Sequence, residues 1–156
     1  MAVPWRDPHG GKTISHYRIE DRLGGRGTGV VYRALDLKLG RNVALKFLPP
    51  EMVRDHQALE RFQREARAAS ALNHANICTI HEVSDSDGHS FIVMEHLNGQ
   101  SLNQMITGKP LNNPQILEIA IQITEALDAA HESGIIHRRS EAGQYFRDSP
   151  WTGEST

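Results

Sequence analysis

A cluster of four glycines within six residues, Gly24-Gly25-Arg26-Gly27-Thr28-Gly29, constrains this chain more than any other feature. Glycine is the residue that lets a backbone turn through conformations closed to other side chains, so such a run marks a sharp, exposed loop. What flanks it decides what kind of loop. On the N-terminal side, Tyr17, Ile19 and Leu23 alternate with Arg18, Glu20 and Arg22, the period of a half-buried strand. On the C-terminal side, residues 30–35 (Val-Val-Tyr-Arg-Ala-Leu) read as the returning strand. Loops that bind a dinucleotide or a nucleotide phosphate at the start of a helix have a strand before them and a helix after. This loop has a strand on both sides. It therefore reads as a hairpin that could lay backbone amides over phosphates, although such a hairpin taken alone equally suits a plain turn.

The rest of the chain orders itself around that hairpin. Residues 38–42 form a turn, and residues 43–48 a third strand stopped by Pro49-Pro50. Leu59, Phe62, Ala66, Ala69 and Leu72 recur at helical spacing, predicting a helix from about Asp55 to Leu72 that Asn73 can close. Two strands follow at about 78–83 and 90–95, separated by the polar loop Ser84-Asp85-Ser86-Asp87-Gly88. Beyond Gly99 the period turns helical. Ser101 can cap a short helix, and Asn113-Pro114 opens a long one that runs to Ser133 and ends at Gly134. That long helix is apolar around much of its circumference and expects burial on several sides. After Arg138 no strand or helix period remains.

Bulk composition excludes several classes. A formal net charge of -2 over 156 residues gives no basic surface for nucleic acid or anionic lipid. No apolar run is long enough to span a membrane, and residues 1–12 lack the apolar core of a signal peptide. Cys78 is the single cysteine, which rules out a disulfide framework within the chain and suits a reducing, cytoplasmic setting. The nine histidines show no paired metal-ligand spacing, so no metal site is read from them.

The chemistry lies on the third strand. Side chains alternate across a strand, so Ala44 and Lys46 share a face. The small Ala44 leaves room for a flat base, while the Lys46 ammonium can reach phosphate oxygens. A half-buried lysine needs a counter-charge, and Glu65, at the edge of the helix's apolar face, can supply it. Surface exposure of both groups is the competing reading.

At this point the sequence resembles the protein kinase family. Leu23-Gly24-x-x-Gly27-x-Gly29-Val30-Val31-Tyr32-x-Ala34-x-Asp36 is similar to the family's glycine-rich loop and second strand, and Val43-Ala44-Leu45-Lys46 to its lysine motif. Phe62-x-Arg64-Glu65-Ala66 is similar to the helix carrying the lysine's partner. Leu72-Asn73-His74-Ala75-Asn76-Ile77 matches the following turn, with Ala75 in place of proline. Phe91-Ile92-Val93-Met94-Glu95-His96-Leu97-x-Gly99 is similar to the fifth strand and hinge, and His131-x-x-Gly134-Ile135-Ile136-His137-Arg138 to the approach to the catalytic loop. The wording is most like the bacterial serine/threonine branch and covers roughly residues 15–138.

The resemblance implies ATP as the bound cofactor, with magnesium in intact members, and a protein substrate as partner. It implies that Leu23, Gly24, Gly25, Gly27 and Gly29 belong to the phosphate-covering loop region, and that Val31 and Ala44 cover adenine. Lys46 would hold the α- and β-phosphates, paired with Glu65. Met94 would be the gatekeeper, with Glu95 and Leu97 offering backbone groups to the adenine edge. His137 and Arg138 would be the remnant of the catalytic loop.

The chain also departs from the family. Arg26 stands where a second loop glycine is usual, which predicts weaker nucleotide binding. Arg139 stands where the catalytic aspartate belongs, and a permanently charged guanidinium cannot act as a base. Gln144 replaces the metal-binding asparagine, and no Asp-Phe-Gly follows. Losing the base alone costs about 10²–10⁴-fold in rate. One choice of synonymous codons for residues 139–156, read with the first base dropped, translates as D-L-K-P-G-N-I-F-V-T-P-R-G-Q-A-K-V, a kinase catalytic loop. An extra base near the codons of Arg138 and Arg139 accounts for the loss of pattern there.

The fold expected is α+β: a kinase-like N-lobe of five antiparallel strands and one helix over residues 15–95, then a hinge and incomplete helical lobe over 96–138. Residues 1–14 would be a flexible lead-in and residues 139–156 a non-native tail. The expected function is the ATP-binding part of a serine/threonine kinase, inactive in phosphoryl transfer as written. The alternatives are a non-catalytic nucleotide-binding or interaction module, or a product without function.

Overall fold

A computed structural model describes residues 11–25 and 29–136, and the backbone of 146–148. The chain divides into two compact units. The first comprises Met1–Ser70 and Thr79–His96, the second Ala71–Cys78 and Leu97–Thr156.

The first unit is an antiparallel sheet of six strands with two helices. In chain order these are β1 (Thr13–Ile14), β2 (Tyr17–Gly24), β3 (Val30–Asp36), β4 (Arg41–Phe47), α1 (Pro50–Arg54), α2 (His56–Ser70), β5 (Ile80–Ser86) and β6 (His89–Glu95). The spatial order is β1-β2-β3-β4-β6-β5. The five expected strands are all present. The addition is β1, which pairs Thr13 with Arg18 and Ile14 with Tyr17. Backbone bonds between Gly11 and Ile19 and between Lys12 and Ile19 hold this stretch on the sheet, so the lobe begins earlier than residue 15. Helix α1 was also unforeseen: Pro50 stops the strand but occupies the first turn of a helix, where its missing N–H costs nothing.

The core fills one face of the sheet. Tyr17, Ile19, Tyr32, Ala34, Val43, Leu45, Phe47, Phe91 and Val93 are buried together there. Each large side chain removed from water contributes about 1.5–3 kcal/mol. The sheet curls around this core. The clearest mark of the curl is that the Tyr17 hydroxyl, on β2, donates to Glu82 Oε2, on β5, across 2.8 Å. These strands are separated by three others in the sheet order. Burial first, then this bond and nearby carboxylates, raises the Tyr17 phenol well above its ordinary range.

Tight turns set the register. Asp87 and Gly88, with φ of 53° and 76°, make the two-residue turn of the β5–β6 hairpin. Residues 84–86, expected in a loop, therefore extend β5. Between β3 and β4, the buried Asp36 carboxylate accepts from the backbone N–H groups of Lys38 (2.9 Å) and Leu39 (3.0 Å). Its place in the second-strand pattern is structural.

The second unit holds β7 (Gly99–Ser101), α3 (Leu102–Gly108), α4 (Asn113–Glu132) and β8 (Phe146–Asp148). Ser101 caps α3 as expected, in a reciprocal capping box with Gln104. The cap of α4 is Asn112 rather than Asn113. Its Oδ1 accepts from Gln115 N at 2.9 Å, which leaves Asn113 and Pro114 inside the first turn. Gly134, at φ 75°, ends α4: its N–H reaches His131 O while Ile135 N–H reaches Ala130 O, the paired bonds of a Schellman motif. Residues 71–78 belong here rather than with the lobe expected at 15–95, and Asn76 Nδ2 donates to Glu125 Oε2 of α4 at 3.3 Å. The apolar surface of α4 is partly bare, with Leu117 63% and Ile121 56% exposed. Among the described residues of the tail lies β8, whose backbone pairs antiparallel with β7. Residues 139–145 and 149–156 lie outside the described residues, as do 1–10.

If the Tyr17–Glu82 bond fastens the curled sheet, Tyr17→Phe will lower unfolding free energy by about 1 kcal/mol. Urea titration checks this; a midpoint unchanged from the parent would show that the bond adds nothing.

Candidate functional site

The register of four strands assembles the site. Val31 faces Gly24 on β2 and Lys46 on β4, and Lys46 in turn faces Ile92 on β6. Two residues along, Ala44 lies between Arg33 and Met94. Residues directly opposite in an antiparallel sheet lie on the same face. Val31, Ala44, Lys46, Ile92 and Met94 therefore line the face opposite the core. The same alternation that sends Val43, Leu45 and Phe47 into the core sends Ala44 and Lys46 to the site. Ala44 is only 5% exposed and offers a flat, small floor. Ile92, equally buried, was missed as a site residue; alternation along Phe91–Glu95 places it beside Met94 and could have found it.

Lys46 is half-buried, and burial alone lowers its pKa from the ordinary lysine range. The expected partner does not reach it. Glu65 is exposed on α2, and among the described residues no ion pair joins it to Lys46. Helix α2 packs on β5, which is separated from β4 by β6. A desolvated ammonium with no carboxylate against it is an unfavourable arrangement that an anion would relieve.

The glycine loop is described at its two ends. Gly25 and Gly29 have φ of 131° and 120°, conformations that side chains rarely adopt. A Cβ on Gly25 would run into the Gly29 carbonyl, and one on Gly29 into the Phe47 carbonyl at the end of β4. These two glycines are thus required by close backbone approach, which seats the loop's return directly over the strand carrying Lys46. Gly24 ends β2 beside an exposed Leu23. Arg26, Gly27 and Thr28 lie outside the described residues, as do His137, Arg138 and Arg139.

At the end of β6, the Glu95 N–H donates to Thr79 O at 2.9 Å and its carboxylate accepts from Thr79 N at 3.2 Å. That donor is already engaged. Leu97 begins the second unit.

The strand register thus gathers Val31, Ala44, Lys46, Ile92 and Met94 on one face, with Gly29 packed against the end of the strand that carries Lys46. The family described as "Protein kinase domain" matches residues 17–139. The chain belongs to the protein kinase family. Among its relatives, the serine/threonine-protein kinase pkn3 of Myxococcus xanthus is 42% identical over 141 residues, covering 88% of this chain and 26% of that protein. Serine/threonine-protein kinase PrkC of Bacillus subtilis is 41% identical over 130 residues, covering 82% of this chain and 20% of that protein. The chain thus spans about a quarter or less of these two kinases. Among solved structures, a double mutant of the Mycobacterium tuberculosis PknI kinase domain superposes with a TM-score of 0.84 at 29% identity, covering 92% of this chain and 60% of that one. This kinase chain is therefore a partial domain: the sheet-bearing lobe and the beginning of the helical one.

The lysine environment gives a direct check. In the unliganded chain, Lys46 should titrate below its solvent-exposed counterparts, followed by NMR of labelled lysine side chains. Because the unfolded state keeps its proton to higher pH, stability should rise as pH climbs from the lowered value towards the ordinary one. A Lys46 resonance titrating with the surface lysines would contradict its burial.

Proposed function

We propose that this chain is the ATP-binding part of a serine/threonine protein kinase and that, as written, it does not transfer phosphate. The observation that carries the reading is the desolvated Lys46 on the sheet face shared with Val31, Ala44 and Met94. Phosphate oxygens would supply the charge that Glu65 does not. The adenine would lie against Val31 and Ala44, with Met94, Glu95 and Leu97 at its edge and the glycine loop over the phosphates. The role of the chain's residues here is positioning and electrostatics.

Magnesium is a different matter. Among the described residues no group of three or more His, Cys, Asp or Glu could hold a metal ion. Gln144 stands where the resemblance puts the family's metal-binding asparagine. The residues present do not fit the ion, and no step is derived through it. Arg139 removes the base that would take the substrate hydroxyl proton. Among the described residues no helix is long and apolar enough to cross a membrane, and a cytoplasmic location suits a chain with a single cysteine.

The test is nucleotide-dependent stability. ATP at 100 times its dissociation constant should raise unfolding free energy by about 2.7 kcal/mol, and Lys46→Ala should abolish most of that gain. Transfer of phosphate to protein should be absent for both. A stability unchanged by ATP would overturn the binding reading, and turnover that Lys46→Ala removes would overturn the inactivity.

A further inference from the structure

We propose that the gene for this chain carries, one base on from the start of codon 139, the reading frame of a complete kinase catalytic loop. The inference rests on the family reading above, but not on whether the chain as written holds ATP.

The amino acids of the tail restrict what a shifted frame could encode. The first base of each shifted codon is the second base of a written codon, and the third is the first base of the next. Outside serine and arginine, which have two codon families each, only the middle base is free, and only within codon degeneracy. Glu141 followed by Ala142 allows lysine or arginine; the loop needs lysine. Gln144 followed by Tyr145 allows asparagine or serine; the loop needs asparagine. Tyr145 followed by Phe146 allows isoleucine or threonine, and isoleucine fits the strand after the loop. Arg139 followed by a TCN serine at 140 allows valine, alanine, glycine or aspartate; the loop needs aspartate. The required residue is available at every position, in order, with no gap. The family motif printed by these positions, His-Arg-Asp-Leu-x-x-x-Asn, also begins in frame, at His137 and Arg138.

Two structural observations meet at the same place. The family match stops at residue 139. Strand β8 then pairs Phe146 with Ser101, Arg147 with Gln100 and Asp148 with Gly99. In the shifted frame position 146 can remain phenylalanine, position 147 can be valine, alanine, glutamate or glycine, and position 148 is isoleucine or threonine. At position 148 an aspartate, which strands disfavour, thus gives way to a β-branched residue, which suits the observed pairing. It would supply at position 139 the aspartate that takes the hydroxyl proton as the substrate oxygen bonds to the γ-phosphorus and the bond to the ADP oxygen breaks.

The decisive experiment is to sequence the gene on independent template, from codon 130 to several hundred bases past codon 156. The frame entered by skipping the first base of codon 139 should read D-L-K-P-G-N-I-F and stay open through Asp-Phe-Gly. Another residue at the aspartate or asparagine codon, or a stop before Asp-Phe-Gly, overturns the proposal. The gene should then be expressed with that base removed, beside the gene as it stands, and both products assayed for ATP binding and phosphate transfer. At least about 10²-fold more transfer from the frame-restored protein is expected. A frame-restored protein that binds ATP without transferring phosphate overturns the catalytic assignment. If neither product binds ATP, the nucleotide reading fails instead, and the DNA sequence still decides the frame.

Discussion

Strand β4 has two chemistries on its two sides, and the rest of the first unit follows from keeping them apart. Val43, Leu45 and Phe47 must leave water, so the sheet curls until they meet Tyr17, Tyr32, Phe91 and Val93. That commits Ala44 and Lys46 to the opposite face. A period of two leaves no other outcome, because a slip of one residue would exchange the faces and bury the ammonium in the core. The pairing of β4 with β3 and β6 brings Val31, Ile92 and Met94 to the same side. The core thus positions the site without touching it.

The glycines add a second constraint. Gly29 must be glycine because the Phe47 carbonyl occupies the space of a side chain, and Gly25 because the loop's own return does. The loop is held down where it meets the sheet. Lys46 sits one residue before Phe47, so the contact that seats the loop lies beside the group that would meet phosphate. On the proposed reading an anion would complete this site, because its lysine is desolvated and the carboxylate expected to balance it is exposed.

Much of this was legible in the sequence because alternation and glycine placement are local. The strands from Tyr17 to Glu95, the face shared by Ala44 and Lys46, and the Ser101 cap all follow from short patterns. What escaped depended on choices the local pattern leaves open. Asn112 and Asn113 are chemically equal caps, and only Gln115, three residues after Asn112, completes the box. Strand β1 is two residues long and exists by pairing with β2. Residues 84–86 are polar like a loop, yet the Asp87–Gly88 turn needs only two residues. Glu65 lies exposed on α2 with no ion pair to Lys46 among the described residues, and where a helix docks on a sheet is not written in its wheel. The second unit shows the opposite case, since α4 has the apolar circumference of a buried helix while Ile116, Leu117 and Ile121 are exposed.

The central claim is that one face of the sheet meets nucleotide while the other holds the lobe together. Methyl-labelled NMR during an ATP titration tests it most directly, because both faces carry methyl groups on the same strands. The account predicts that Val31, Ala44, Ile92 and Met94 shift with ATP while Val43, Leu45 and Val93 do not. Shifts confined to Val43, Leu45 and Val93, shifts spread evenly over both sets, or none at all would contradict it.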